Sequence, residues 1–374
     1  MEPSLPKYDD RDRHEVGHSL PLVVFDSDRH GAHCRRLCLE MRGIVLKRAL
    51  ASRLSAPTKL KLRRIANRIL ILPNYVYDLR RFVASSTAAR EADDLERLSA
   101  HITMDYHRIE KGLALPVPRP GFGQDVVERL LAFIPEYENK YGPADVTCTA
   151  RAALAEYQQF NAEQGLQLPK LDAFLNRSEM NGAAGGTVLL SKEDLFPFDG
   201  EAARRFVLSR RSVRQFTGQA IAKDVIEEAV YLAQRAPSVC NRQSARVFVT
   251  HDPARMAEVL SFQNGNRGFG DTLGAVFVIT ADMRAFTTMG ERNQAWIDGG
   301  IFAMSLAMSL HALGLGACML NWSVEARHDK LARAAMGIGD EYAIITMLGA
   351  GYPKDTVRIA ASPRRDVSSI LSWL

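Results

Sequence analysis

"AWIDGGIFAMSLAMSLHALGLGACML" (Ala295–Leu320) is almost continuously apolar and long enough to cross a bilayer. Asp298 and His311 lie inside it, and Gly314 and Gly316 interrupt its second half. Charged groups are costly in lipid, and closely spaced glycines end a helix. The segment therefore reads as a fully buried helix followed by a short strand, with Gly314-Leu315-Gly316 as the turn. That reading makes the chain a soluble layered protein.

The flanking sequence agrees. "ARVFVT" (Ala245–Thr250), "GAVFVIT" (Gly274–Thr280) and "YAIITMLGAGYP" (Tyr342–Pro353) are short β-branched and aromatic runs, the mark of buried strands. "AKDVIEEAVYLAQRA" (Ala222–Ala236) has helical periodicity at Val225, Ile226, Ala229, Val230 and Ala233. Strands separated by helices predict an α/β or α+β layer domain. Upstream, helices are expected over Arg42–Leu54, Leu60–Leu72, Ala88–His101, Val126–Tyr141 and Ala144–Gly165. "NGAAGGTVLLSKEDLFPFDG" (Asn181–Gly200) has the composition of a linker. The expected organisation is a mainly helical extension over 1–180, a linker over 181–200 and a layer domain over 201–374. No internal repeat is evident.

A 47% hydrophobic and 24% charged composition is that of a globular chain and excludes a disordered one. Five cysteines without a paired framework suit a reducing compartment, and the charged N-terminus lacks an apolar signal core. A cytoplasmic location is the expectation. The net charge of +5 is unevenly spread, with twelve Lys/Arg and a single acid, Asp78, between Arg42 and Arg90. Within it, "KLKLRRIANRILIL" (Lys59–Leu72) sets Leu62, Ile65, Ala66, Ile69 and Leu70 on one helical face, with Lys61, Arg63, Arg64 and Arg68 around the rest. This is either peripheral contact with an anionic membrane or an ordinary amphipathic helix with a solvated basic side. No recognition module accompanies the charge, so nucleic acid is not an expected partner.

Two polar clusters carry little. In "HGAHCRRLC", His30, Cys34 and Cys38 stand at i, i+4 and i+8 beside His33, but one helix cannot aim three such ligands at one ion. No metal is expected. "MDYHRIEKGLALPVPRPGFG" (Met104–Gly123) gathers His107, Arg108, Glu110 and Lys111, whose spacing suits a site or a capped helix end equally.

"RRSVRQFTG" (Arg210–Gly218) has three arginines around a serine. Guanidinium forks fit phosphate oxygens, although a solvated turn explains this stretch alone as well. "RAPSVCNRQSARVFV" (Arg235–Val249) then places Asn241 and Gln243 just ahead of a strand, where their amides suit the edge of a planar ring.

Together, "RRSVRQF" and "APSVCNRQ" resemble the opening of the nitroreductase family of FMN-dependent oxidoreductases. "RNQAWIDGGIFAMSLAMSLHALGLGACML" (Arg292–Leu320) resembles its central helix and following strand, and "LGAGYPKD…SPRRDVSSIL" (Leu348–Leu371) its closing turn and basic tail. The resemblance covers roughly Gly200–Leu374. It implies an α+β fold with a mostly antiparallel sheet flanked by helices, and a homodimer with flavin at the subunit interface. It further implies that Arg210, Arg211 and Ser212 hold the FMN phosphate and ribityl chain, with Arg214 near ring or phosphate. Pro237, Ser238 and Asn241 would reach the flavin from the partner subunit, and Gln243 is similar to the family's glutamine. Gly316–Asn321 would run past the N5 side, with Met319, Leu320 and Asn321 as its cofactor contacts, and Arg364 and Arg365 would complete the phosphate clamp. The loop carrying Asn264, Asn266 and Arg267 is a further candidate for the pyrimidine edge.

The implied activity is hydride transfer from NAD(P)H to flavin and onward to a small acceptor such as a nitro compound or quinone. The cofactor carries this chemistry, so no side chain is assigned a catalytic role. Alternatives from other classes are an FMN-dependent oxidase or dehydrogenase acting on a sugar or peptide precursor, and a non-catalytic flavin-binding accessory of a membrane-associated biosynthetic assembly. Two departures bear on the substrate side: Ser244-Ala245 replaces the Pro-Trp of many members, and Asn321-Trp322 stands where some carry Glu. Through "HRIEKGLALP" and "RPGFG" the extension is similar to those of nitroreductase-like proteins associated with polysaccharide biosynthesis.

Overall fold

The computed structural model describes residues 55–176 and 185–374. The expected helix Arg42–Leu54, the "HGAHCRRLC" cluster and the start of the linker lie outside these. The chain divides into two compact units, residues 1–71 and 72–374. In the first, the described part is the opening of helix α1 (Ala56–Ser85), where Leu60, Ile65, Ile69 and Ile71 are exposed.

The second unit begins with helices. After the end of α1 come α2 (Leu95–Leu113), α3 (Gln124–Tyr141), α4 (Asp145–Glu163) and the short α5 (Pro169–Leu175). Two sequence boundaries are corrected here. The expected Leu60–Leu72 helix runs over Ala56–Ser85 with Pro73 inside it. The expected Ala88–His101 helix starts at Leu95, because the Asp94 carboxylate caps the Arg97 amide at 2.8 Å, and continues to Leu113. Leu98, Ile102, Ile109, Leu130, Ile134, Leu154 and Tyr157 bury the shared face of these helices.

The motif "HRIEKGLALPVPRPGFG" serves this packing. A side chain at Gly112 would meet the Phe122 ring, the Tyr157 hydroxyl donates to the Phe122 carbonyl at 2.5 Å, and the Gly121 amide donates to Asn161 Oδ1 at 2.7 Å. His107 pairs with Glu110 at 3.1 Å, and Glu110 also accepts from the Gly186 amide at 3.2 Å. The polar cluster thus ties the end of α2 to Gly186, inside the linker stretch.

Beyond the short α6 (Lys192–Leu195) and α7 (Gly200–Ser209) the sheet domain follows. Its elements are α8 (Lys223–Ala233), β1 (Ala245–Thr250), α9 (Pro253–Ser261), β2 (Ala275–Asp282), α10 (Gln294–Ala312), β3 (Gly316–Asn321), α11 (Ala326–Met336) and β4 (Tyr342–Gly351). The strands form one antiparallel sheet in the order β1-β2-β4-β3, with Phe277 opposite Leu348 and Met319 opposite Leu348 on the other side of β4. All of β2 is buried because both faces are covered. Ala275, Phe277 and Ile279 pack with α8 and α10 through Ile226, Ala229, Leu306 and Leu310. Val276 and Val278 pack with α9 and α11 through Met256, Leu260 and Ala332. The fold is α+β, as expected.

Helix α10 corrects the opening reading in one respect. It is buried along one side only, and Trp296, Ile297, Gly300, Ile301 and Met304 form an exposed stripe on the other.

Candidate functional site

The arginine segment is held between the start of β3 and the turn after β4. The Val213 amide donates to the Ala317 carbonyl at 3.1 Å, and the Thr217 amide donates to the Tyr352 carbonyl at 2.9 Å. Ser212 and Phe216 bridge to Ala317 and Pro353. Gly316 permits the approach, since a Cβ there would lie 2.9 Å from Val213 Cβ.

This arrangement lines a cavity of about 300 Å3. Arg210, Arg211, Ser209 and His311 supply its polar groups, and Met319 and Leu348 lie on the sheet side. The His311 Nε2 lies 2.7 Å from Ser209 Oγ, and its ring stacks on Phe206. Burial, then the Arg210 guanidinium, hold the His311 imidazole below its ordinary range. Arg214 faces Cys318 instead, where burial pushes the thiol up and Arg214 partly opposes it.

The second sequence-predicted set lies elsewhere on the chain. Pro237, Ser238 and Gln243 line a separate cavity of about 100 Å3 with Arg246, Asp298 and Phe302. Between them, Cys240, Asn241 and Gln243 have φ of 48°, 53° and 48°. Left-handed backbone costs a non-glycine residue about 1 kcal/mol or more, so three in four positions require clamps. Arg242 supplies one. Its buried guanidinium pairs with Glu291, donates to the Ala285 carbonyl at 2.8 Å and donates to the Val239 carbonyl at 3.2 Å. Burial alone would raise the Glu291 carboxyl, but the Arg242 and Thr287 hydrogen bonds prevail and hold it below its ordinary value.

The two cavities sit toward opposite ends of α10. Asp298 and His311 are thirteen residues apart, or about 20 Å along the axis. One chain therefore brings Arg210, Arg211 and Met319 together, and Pro237, Ser238 and Gln243 together, but not the two sets with each other. Asn241 is exposed at the strained turn, and Leu320 is buried in the core beneath the sheet. Asn321 is exposed, bonds Ser323 at 2.9 Å and accepts from Gln263 Nε2 through its carbonyl at 2.7 Å. Arg364 and Arg365 are exposed on the C-terminal tail, which reaches the first cavity through Val357 and Ile359 rather than through them. Arg267 bonds Asn264 at 3.3 Å.

Sequence reasoning did not assign His311, Ser209, Asp298 or Gln263 to a site. His311 and Asp298 carried a signal: each is a polar residue inside an apolar helix, and each lies at a cavity.

Comparison with known proteins bears on the sheet domain. The Nitroreductase family model matches residues 207–262 and 252–352. The matched stretch, residues 207–352, is a nitroreductase-family domain. This nitroreductase domain is 27% identical over 185 residues to the NADH dehydrogenase of Thermus thermophilus, a match covering 41% of the chain and 87% of that protein. It is 26% identical over 129 residues to the FMN reductase (NADPH) of Bacillus subtilis, covering 30% of the chain and 51% of that protein. Among solved structures, an FMN-dependent nitroreductase from Clostridium difficile is 22% identical with a TM-score of 0.36, covering 44% of this chain and 92% of that one. The family model and the sequence relatives make the domain that of an oxidoreductase family.

Proposed function

We propose that the protein is an FMN-dependent oxidoreductase that takes hydride from NAD(P)H and reduces a small-molecule acceptor of the nitro or quinone class. The observation that carries this is the cavity where Arg210, Arg211 and His311 meet the glycine-opened start of β3. Two guanidiniums beside an apolar floor suit a phosphate joined to a less polar chain. Arg210, Arg211 and Ser212 would hold the phosphate end, and Met319 and Asn321 would lie along the ring. Bound FMN would supply the redox chemistry, and the protein would supply placement and positive charge. The tail arginines Arg364 and Arg365 would complete the phosphate contacts when the tail folds over the ligand.

The proposed active form is a homodimer in which each flavin lies between two chains. The exposed Trp296, Ile297, Ile301 and Met304 stripe on α10 supports it, since such a face is costly in water. Pairing α10 with its two-fold copy would bring Ser238, Asn241 and Gln243 of one chain toward the arginine cavity of the other. Residues 201–374 would then form the catalytic domain. The basic opening of α1, with exposed Ile65 and Ile69 beside Arg64 and Arg68, supports peripheral contact with an anionic membrane from the cytoplasmic side.

The direct test is an FMN titration of purified protein, followed by anaerobic NADH and NADPH. Wild type should bind FMN, bleach with one or both nucleotides, and prefer FMN to riboflavin at least tenfold. R210A/R211A should abolish that preference. A wild-type protein that refuses FMN, or a double variant that retains the preference, would refute the assignment.

A further inference from the structure

Asp298 is the acid inside the apolar α10 helix. Its side chain is buried, with 3% of the residue exposed, and it sits beneath the strained turn. Three uncharged donors converge on its carboxylate. The Val239 amide approaches both oxygens at 3.3 Å, Ser244 Oγ reaches Oδ2 at 3.3 Å, and Gln294 Nε2 reaches Oδ1 at 2.7 Å. Val239 and Ser244 bracket Cys240–Gln243, which holds the three left-handed residues, so one carboxylate fixes both ends. Ser238 Oγ adds a bond from the Gln243 amide at 2.9 Å.

The consequence is a pattern of facing. Arg242 and Ser244 are buried, while Asn241 and Gln243 are exposed. The inward pair is anchored, Arg242 by Glu291 and Ser244 by Asp298, and the outward pair carries the two amides. A serine at 244 can donate to Asp298; a proline there could not.

We propose that Asp298 is a positioning residue that holds the Val239–Ser244 turn in its left-handed form, so that the Asn241 and Gln243 amides are presented to a planar heteroaromatic ligand. The ligand class rests on the flavin reading above; the hold on the turn does not. An acceptor-only carboxylate suits this place, because every group aimed at it is a donor. An asparagine of equal size removes the charge and replaces one acceptor by an NH2 donor, so the Val239 amide keeps one oxygen at most and the remaining bonds to Ser244 and Gln294 lose their charge assistance.

The experiment compares wild type with D298N in the full-length protein. Amide hydrogen exchange is measured by peptide, and FMN and riboflavin are titrated separately. In D298N, exchange over residues 239–243 should rise at least tenfold while the peptides of β2 and α4 stay unchanged. Affinity for both FMN and riboflavin should fall at least tenfold, because the ring contacts are lost, and the ratio between them should stay constant, because the phosphate contacts remain. A merely structural role would raise exchange throughout the domain. Unchanged exchange in the turn, or a general rise, would overturn the proposal, as would a loosened turn with unaltered affinity. If D298N does not fold, S244A removes one bond to the same carboxylate and carries the same readouts with smaller amplitude. A wild-type protein that binds neither flavin would instead remove the flavin reading and the ligand class with it, leaving the exchange result to decide the hold on the turn.

Discussion

Trp322 Nε1 donates to Asp329 Oδ1 at 2.8 Å, one residue beyond the exposed end of β3. The other oxygen accepts from the Tyr77 hydroxyl at 2.7 Å and lies 3.7 Å from Arg81 and 3.8 Å from Arg333. The last turns of α1 and the loop after Asn321 are therefore joined through one carboxylate. D329A would leave two buried guanidiniums without that counter-charge, and about 3 kcal/mol of stability should be lost in urea unfolding. Y77F should cost about 1 kcal/mol, the worth of one hydrogen bond. Equal stability of D329A and wild type would show that the cluster does not hold the two segments together.

The contact at Gly316 makes a second prediction. G316V would drive side-chain atoms into Val213 and displace the arginine segment from β3. A loss of about 1–3 kcal/mol is expected from overpacking, with FMN affinity falling in step. G200A is the control, because nothing lies within 4 Å of a Cβ at that position. Wild-type flavin binding in G316V would mean that the close approach is not needed for the site.

The pH dependence of stability has a definite sign. Burial pushes the His101 imidazole below its ordinary value, and its Nε2 lies 2.9 Å from Thr87 Oγ1. The unfolded chain thus binds a proton more readily than the folded one. Stability is complete above the ordinary histidine range near pH 6.5, falls as pH drops through it, and levels off below the depressed folded value. His311 acts in the same direction. H101Q should flatten the slope of Tm against pH without removing it. A slope in H101Q identical to that of wild type would exclude His101 as a contributor.

The stripe on α10 can be tested without any ligand. I301E/M304E should leave the fold intact, since both side chains are exposed in the single chain, yet sediment as a monomer. Flavin affinity should fall with dimerisation. A dimeric variant would refute this stripe as the proposed interface, and a monomeric wild type would refute the proposed dimer itself.

The sheet domain was largely legible in sequence, because each signal was local. β1 occupies Ala245–Thr250 as predicted, and the apolar run at 295–320 gave a helix, a glycine turn and a strand. The same run concealed the exposed side of α10. Ile301 and Leu306 are alike in composition, and only tertiary packing decides which of them faces water. The start of α2 was misplaced because alanines at 88 and 89 suggest helix more strongly than Asp94 suggests a cap. At the site, arginine and amide motifs were visible as short patterns. His311 and Asp298 were visible only as polar interruptions, since their partners Ser209 and Val239 are distant in sequence.

The separation of the two cavities along α10 implies intersubunit complementation in the proposed dimer. A chain lacking Arg210 and Arg211 and a chain with a damaged Asn241 turn would each form homodimers with two defective sites. In a mixed dimer the lesions would fall together at one site and leave the other whole. Two inactive preparations, unfolded and refolded together, should therefore recover flavin binding that neither has alone. Chains with the same lesion should recover none.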